Sequence, residues 1–344
     1  MAVQAKSATS APRQVKFDPA LAEAVAERLA RGLHPSLIAM QLADMADPAL
    51  VQAYVREAEK NPFFRGATAQ TDALKKRDWI LEAQRKAWDA QPDPRAIERA
   101  DRLSPDDFRK HYYANQRPVI ISGLVDDWPA RTLWIPDYLE QTIGAATMVE
   151  AQTGRDTLSN FEEEMHRLTR QVPFSEVARA LRAGTPSNDL YITANNGAGN
   201  RDAFDPIWTD FAPIPGYIKP DQPTDAFLWI GPAGTITPFH HDLTNNLLVQ
   251  VRGRKRIHLI PNWEEARMKT RRVWFSDWTP DALQAAGDKA PLVMDFVLEP
   301  GEAVFMPVGW WHHVESLDES ASVLFTSFVW PNAFSNAFTD AQKG

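Results

Sequence analysis

The chain contains no cysteine in 344 residues, which excludes disulfides, zinc ribbons, iron–sulfur clusters and thiol nucleophiles. It also lacks any run of the ~18–20 apolar residues that a membrane-crossing helix needs. Positive charge is not in excess. There are 37 Lys and Arg against 45 Asp and Glu, a net charge of −8, so the cationic surplus of a general nucleic-acid binder is missing. Residues 1–16 are rich in Ala and Ser and weakly basic but hold no apolar core of a secretory signal. They are expected to form a disordered tail, with a transit peptide as the lesser alternative and the cytoplasm as the default compartment. The sequence shows no internal repeat, and no low-complexity tract beyond the tail.

What is present is ordinary for a globular protein in bulk, with 44% apolar and 24% charged residues, but includes 12 Trp. Its length allows one large domain with an accessory region, or two domains. Residues 17–94 read as a helical extension, packed on the main domain or on another subunit. Asp18-Pro19 is a cap followed by Pro at the first helical position, Leu21, Val25 and Leu29 recur every four residues, and Gly32 closes the segment. Further helices are expected at 36–45, from Asp47-Pro48 with Leu50, Val51, Tyr54 and Val55 on one face, and at 70–90. Pro92-Asp-Pro94 breaks the pattern, and a catalytic domain is placed at 95–335.

Within that domain Ser104-Pro-Asp-Asp107 fits a capping box and opens a helix through Phe108 and Tyr112. Strands are expected at 117–123, 147–151 and 189–194, with a helix at 175–183 and a Pro-rich irregular stretch at 205–223. From residue 226 onwards strands dominate, at 226–230, 238–251, 254–260, 293–298, 303–307, 312–316 and 321–330. Many short strands with Gly and Pro turns indicate a mainly β fold with added α structure, a double-stranded β-helix of the jelly-roll or cupin type.

The chemistry centres on Thr237-Pro-Phe-His-His-Asp242. On a strand, His240 and Asp242 point to one side and His241 to the other. Two His and one carboxylate on an open cavity suit non-heme iron(II). If the strand runs on unbroken, Thr244, Asn246 and Leu248 share that face. A third ligand is offered by Trp310-Trp-His-His-Val314, where His312 lies far enough along to come from another strand. Four of the eight His sit in these two pairs. Arg252-Gly253 reads as a hairpin turn, after which Lys255, Ile257 and Leu259 face inward while Arg254, Arg256 and His258 face out. A buried ammonium costs several kcal/mol unless paired, and a bound dicarboxylate is its natural partner. A register slip would instead leave Lys255 on the surface.

His241 and His313 read as wall residues, and His34, His111, His166 and His258 as ordinary surface or core positions. Trp310 and Trp311 either sandwich a substrate or pack beside the site and keep water out. The basic run Arg267-Met-Lys-Thr-Arg-Arg272 is either a solvated loop or a substrate-docking patch.

Across residues 103–331 the chain resembles the JmjC branch of the cupin-fold iron(II)/2-oxoglutarate oxygenases, most of all the asparaginyl hydroxylase of hypoxia-inducible factor and related protein hydroxylases. The likeness rests on Arg117-Pro-Val-Ile-Ile-Ser-Gly-Leu124 through Trp128-Pro-Ala130, Thr237-Pro-Phe-His-His-Asp242, Gly253-Arg-Lys-Arg256 and Pro307-Val-Gly-Trp-Trp-His-His-Val-Glu-Ser316. It implies that His240, Asp242 and His312 hold iron(II) and that Lys255 and Thr237 bind the distal carboxylate of 2-oxoglutarate. Asn246 and Tyr191 would line the cosubstrate pocket, and Ser327 stands where the asparaginyl hydroxylase has an Asn on its last barrel strand. That enzyme's substrate-gripping loop has no counterpart in 264–278, and the chain stops soon after Trp330, leaving the N-terminal helices as the expected homodimer contact.

The expected function is hydroxylation of a C–H bond in a protein or peptide side chain, with 2-oxoglutarate and O2 consumed and succinate and CO2 formed. The same chemistry on a small molecule or free amino acid is the alternative, lysine demethylation ranks below hydroxylation, and a non-oxidative cupin binder or isomerase is the reading from another class. No nucleic-acid or membrane partner is expected.

Overall fold

In the computed structural model, residues 18–220 and 226–341 are described, so the expected tail at 1–16 lies outside the described residues. The chain divides into two compact units, with the division between Ala83 and Gln84.

The first unit holds three helices, α1 (Pro19–Ala30), α2 (Pro35–Gln41) and α3 (Pro48–Lys60), and most of a long fourth, α4 (Pro62–Asp89). Each of the first three starts on Pro after a residue whose side chain caps it. Asp18 accepts from the Ala20 and Leu21 amides, His34 from Ser36, and Asp47 from Ala49. Capping satisfies amides that have no partner within the helix, and Leu21, Val25, Ile38, Leu42, Val51 and Val55 meet in a small core. By contrast α4, extending well before residue 70, buries no side chain.

The second unit is built from strands. In chain order these are β1 (Glu98–Asp101), β2 (Val119–Ser122), β3 (Met148–Gln152), β4 (Thr169–Pro173), β5 (Phe227–Gly231), β6 (Ile236–His240) and β7 (Asn246–Arg252). They continue with β8 (Lys255–Ile260), β9 (Thr270–Arg271), β10 (Phe275–Ser276), β11 (Met294–Leu298), β12 (Ala303–Met306), β13 (Trp311–Ser316) and β14 (Ser320–Phe325). One six-stranded sheet runs β1-β2-β12-β7-β14-β5 and a second runs β11-β8-β13-β6-β10-β9, while β3 and β4 pair separately. Helices and two sheets, antiparallel except where β1 pairs parallel with β2, make up the expected jelly-roll core.

Alternation along the strands sorts the side chains. On β7, Leu247, Val249 and Val251 join a large core with Phe108, Trp128 and Phe305, whereas Asn246 and Leu248 face a cavity between the sheets. On the second sheet, Phe239, Ile260 and Trp311 face away from that cavity into another core with Met268 and Trp278.

Four expectations about local structure are corrected. Residues 238–251 are not one strand. β6 ends at His240 and β7 begins at Asn246 in the opposite sheet, because the chain crosses the sandwich between them. Arg252-Gly253 is not a hairpin turn, since β7 pairs with β12 and β14 and β8 pairs with β11 and β13. It is a second crossover. Gly253 has φ +68°, and a Cβ there would lie 2.1 Å from the Glu319 carbonyl oxygen, so only glycine fits. The last strand stops at Phe325, and 189–194 contributes only single bridges from Tyr191 and Ile192.

Candidate metal centre and cosubstrate pocket

A cavity of about 570 Å³ opens between the two sheets, and His240, Asp242 and His312 lie on its wall. His240 is the last residue of β6, Asp242 sits two residues beyond it, and His312 is its Cα partner on β13. One ligand atom from each lies within 4.8 Å of the others. The two imidazole centroids are 4.2 Å apart, and His312 Nε2 is 3.6 Å from Asp242 Oδ2.

Both rings are oriented in the same way. His240 Nδ1 lies 2.9 Å from the Pro238 carbonyl and His312 Nδ1 lies 3.0 Å from the Trp310 carbonyl. A carbonyl only accepts, so each ring donates from Nδ1 and keeps its Nε2 lone pair for a metal. Burial, and next the neighbouring His240, lowers the His312 pKa to about 4, so the ring is neutral at physiological pH. Burial alone would raise the Asp242 carboxyl, but His240 and His312 outweigh it and hold the group below the usual range. Asp242 is also fixed by Asn246 Nδ2, which donates to Oδ2, and by the Gly309 amide, which donates to its carbonyl at 3.0 Å.

Thr237 reaches the same cavity through an irregularity. It lies three positions before His240, which on a regular strand would place them on opposite faces. The pairing of β13 with β6 shifts register between His312, opposite His240, and Val314, opposite Thr237. The extra residue on β6 is a β-bulge, and it turns both side chains inward.

Lys255 enters from β8 and is 1% exposed. Its Nζ donates to Tyr191 Oη at 3.2 Å and sits 5.8 Å and 5.9 Å from the ring centroids of Tyr191 and Trp229. Among the described residues no carboxylate pairs with it. A desolvated ammonium with one hydroxyl and two aromatic faces is incompletely compensated, and it shares its cavity with the His-Asp-His group. The donor set suits iron(II), and the unmatched cation suits the far carboxylate of a dicarboxylate bound beside the metal.

The remaining candidates separate clearly. Tyr191, Thr237 and Asn246 line the cavity with Lys255, whereas Ser327 does not. It lies beyond the end of β14, where its carbonyl accepts from the Lys219 amide. His241 faces the rim, with Nε2 3.2 Å from the Val273 carbonyl and its ring against Trp274 and Trp311. His313 is buried on the other face of β13 beside Phe239 and His258, and burial lowers its pKa to about 3. Trp310 and Trp311 are fully buried and line no part of the cavity; Trp310 packs on Trp88 and Trp263.

The basic run is solvent-facing at Lys269 and Arg272, but its charges have partners within the chain. Arg267 pairs with Glu264, Lys269 lies 3.7 Å from the Trp278 ring centroid, and Arg271 and Arg272 share Glu163 at 2.8 Å and 3.0 Å. The sequence reasoning missed Trp229, Glu162, Trp274 and Phe275, all of which line the cavity. Trp229 alone had a signal, because it alternates with Phe227 and Gly231 on an expected strand.

Residues 105–335 match the family model described as a cupin-like domain. The chain belongs to that family. It is 32% identical over 251 residues to lysine-specific demethylase JMJ30 of Arabidopsis thaliana, covering 69% of this chain and 55% of that one. It is 29% identical over 249 residues to Jumonji C domain-containing protein 5 of Drosophila melanogaster, covering 67% and 59%. The chain thus spans little more than half the length of these curated relatives. A solved structure, E. coli ycfD, aligns with 16% identity and a TM-score of 0.39 over 67% of this chain and 54% of that one. JmjC members of the cupin-like family are oxygenases that use iron(II), 2-oxoglutarate and O2.

Proposed function

We propose that this protein is an iron(II)- and 2-oxoglutarate-dependent oxygenase that hydroxylates a C–H bond of a protein or peptide side chain. One observation carries the reading: Lys255, a buried ammonium that pairs with no carboxylate among the described residues, shares a cavity with His240, Asp242 and His312. A non-oxidative cupin binder or isomerase has no need of that pairing.

Iron with 2-oxoglutarate and O2 supplies the oxidant, and the products are a hydroxylated carbon, succinate and CO2. The chain's own residues do the rest. His240 and His312 present Nε2, because their Nδ1 protons are committed to backbone carbonyls. Asn246 holds the Asp242 carboxylate in one orientation. Lys255 and Thr237 receive the distal carboxylate, with Tyr191 and Trp229 shielding the ammonium from water. Leu248, Met306, Val314 and Leu324 form dry walls, so charge interactions within are weakly screened.

The Arabidopsis relative is named for demethylating lysine, which supports a side-chain substrate here. Demethylation starts from the same hydroxylation when the carbon is bonded to nitrogen. The alternative of a small molecule or free amino acid shares every residue role above. A homodimer through the first unit would use the exposed Phe63 and Trp79 of α4, and light scattering measures it. Among the described residues no helix is long and apolar enough to cross a membrane.

The test is succinate release from 2-oxoglutarate with iron(II) and ascorbate, followed by a mass search in lysate peptides for the gain of one oxygen atom. Absence of turnover, together with no binding of N-oxalylglycine, would overturn the oxygenase reading.

A further inference from the structure

We propose that Arg155 is the positioning residue of the cosubstrate pocket. It stands behind the wall on which Tyr191 and Thr237 lie and holds both from the rear. The proposal rests on the oxygenase reading above and adds a residue that touches neither metal nor cosubstrate.

Arg155 opens a short 3-10 turn after Gly154, and its side chain is fully buried. It does not line the cavity. Its guanidinium is spread over four acceptors from different segments. Nε donates to Asn188 Oδ1 at 3.3 Å, Nη1 to Gln152 Oε1 and, at 3.3 Å, to Glu162 Oε2, and Nη2 to the Ile236 carbonyl at 2.5 Å.

The last of these contacts sets Thr237. Ile236 opens β6 directly before it, and both backbone groups of Ile236 are held by side chains. Its amide donates to Asn188 Oδ1 at 2.9 Å while its carbonyl accepts from Arg155. The two peptide planes that flank Ile236 are therefore each held, and the second of them, fixed by Arg155, carries the Thr237 amide. Tyr191 is set by the same group. Its ring lies 5.4 Å from the guanidinium carbon, and Gln152, a second partner of Arg155, exchanges backbone hydrogen bonds with it at 2.9 Å and 3.0 Å. Tyr191 Oη in turn accepts from Lys255.

A buried ion pair such as Arg155–Glu162 is poor evidence for a contribution to stability, since desolvation offsets the attraction. A planar fork that satisfies several fixed acceptors gives geometry that a flexible ammonium does not. This distinguishes a positioning role from charge balance with Glu162 alone.

The experiment titrates 2-oxoglutarate anaerobically into the iron(II)-loaded full chain, following tryptophan fluorescence, with iron affinity measured separately. Arg155→Gln and Arg155→Lys should each weaken 2-oxoglutarate binding about tenfold or more, the scale of outer-shell losses, while iron affinity stays within about twofold. Failure of lysine to restore binding marks the fork. Restoration by lysine would mean that only charge was needed and overturns the proposal, as does unchanged affinity in both variants or parallel loss of iron and 2-oxoglutarate. If circular dichroism shows that the Arg155 variants do not fold, Asn188→Ala tests the same clamp at Ile236 with the same expectation. Wild-type protein that binds iron but no 2-oxoglutarate overturns the oxygenase reading itself, and the positioning role with it.

Discussion

His240 and His312 are Cα partners on adjacent antiparallel strands, their ring centroids 4.2 Å apart, and each donates from Nδ1 to the carbonyl of the residue two positions earlier. The two rings are thus fixed by their own strands. His240→Ala, Asp242→Ala or His312→Ala should each reduce iron(II) affinity at least about 100-fold, beyond the 10–100-fold typical of outer-shell changes. Equilibrium dialysis measures it, and unchanged iron content would remove the residue from the ligand set.

Lys255 gives a prediction of opposite signs for stability and binding. Exchange of an inadequately paired buried charge for an apolar residue of similar volume stabilises by about 1–4 kcal/mol. Lys255→Met should therefore raise the melting temperature of the metal-free protein, while 2-oxoglutarate with iron(II) should no longer raise it further. A variant less stable than wild type, or still stabilised by 2-oxoglutarate, would contradict the assignment.

His313 should make the metal-free protein acid-sensitive. Its native pKa is about 3 because burial disfavours the charged ring, whereas in the unfolded chain it titrates near 6.5. The unfolded state binds the extra proton, so stability is complete above about pH 6.5 and declines as pH falls towards 3. Between pH 7.5 and 4.5 this amounts to about 2–3 kcal/mol. Urea unfolding at the two pH values should show that loss, and His313→Phe should reduce it; an equal slope in the variant would assign the acid sensitivity elsewhere.

The cavity rim should open to protease when one acid is neutralised. Glu163 is 4% exposed and shared by Arg271 and Arg272, and the next turn holds Arg272 and Val273 at φ +48° and +66°. Such conformations are costly for residues with a Cβ, and above all for a β-branched one. With the two arginines 39% and 63% exposed, the pairing contributes only on the order of 1 kcal/mol. Glu163→Gln should speed tryptic cleavage after Arg271 and Arg272 several-fold and leave iron binding intact. Mass spectrometry of the fragments reads the outcome.

Much of this was legible in the chain. Lys255 faces inward because the two-residue period of β8 survives in the structure, and the apolar length of β7 marks a strand buried on both faces. His240 and Asp242 do meet at one site, though not for the expected reason, since Asp242 has left the strand and is aimed by a crossover. The bulge that turns Thr237 inward has no local signature, because it depends on which residues β13 brings opposite β6. Arg155 is equally silent, since its partners lie at 152, 162, 188 and 236 and nothing about their spacing links them. The expected strand over 321–330 carries Ser327, but the apolar pattern extends further than the pairing, which stops at Phe325.

The row formed by His240 and His312 across β6 and β13 also bears on the order of folding. These candidate ligands lie on strands far apart in the chain, so no local fragment brings them together. β6 and β13 must pair first, at the loop-closure cost of distant contacts. Iron held by this set would therefore report that pairing. It favours the finished state by mass action, and partly folded chains, which hold only the His240 end of the set, have no comparable means of retaining it.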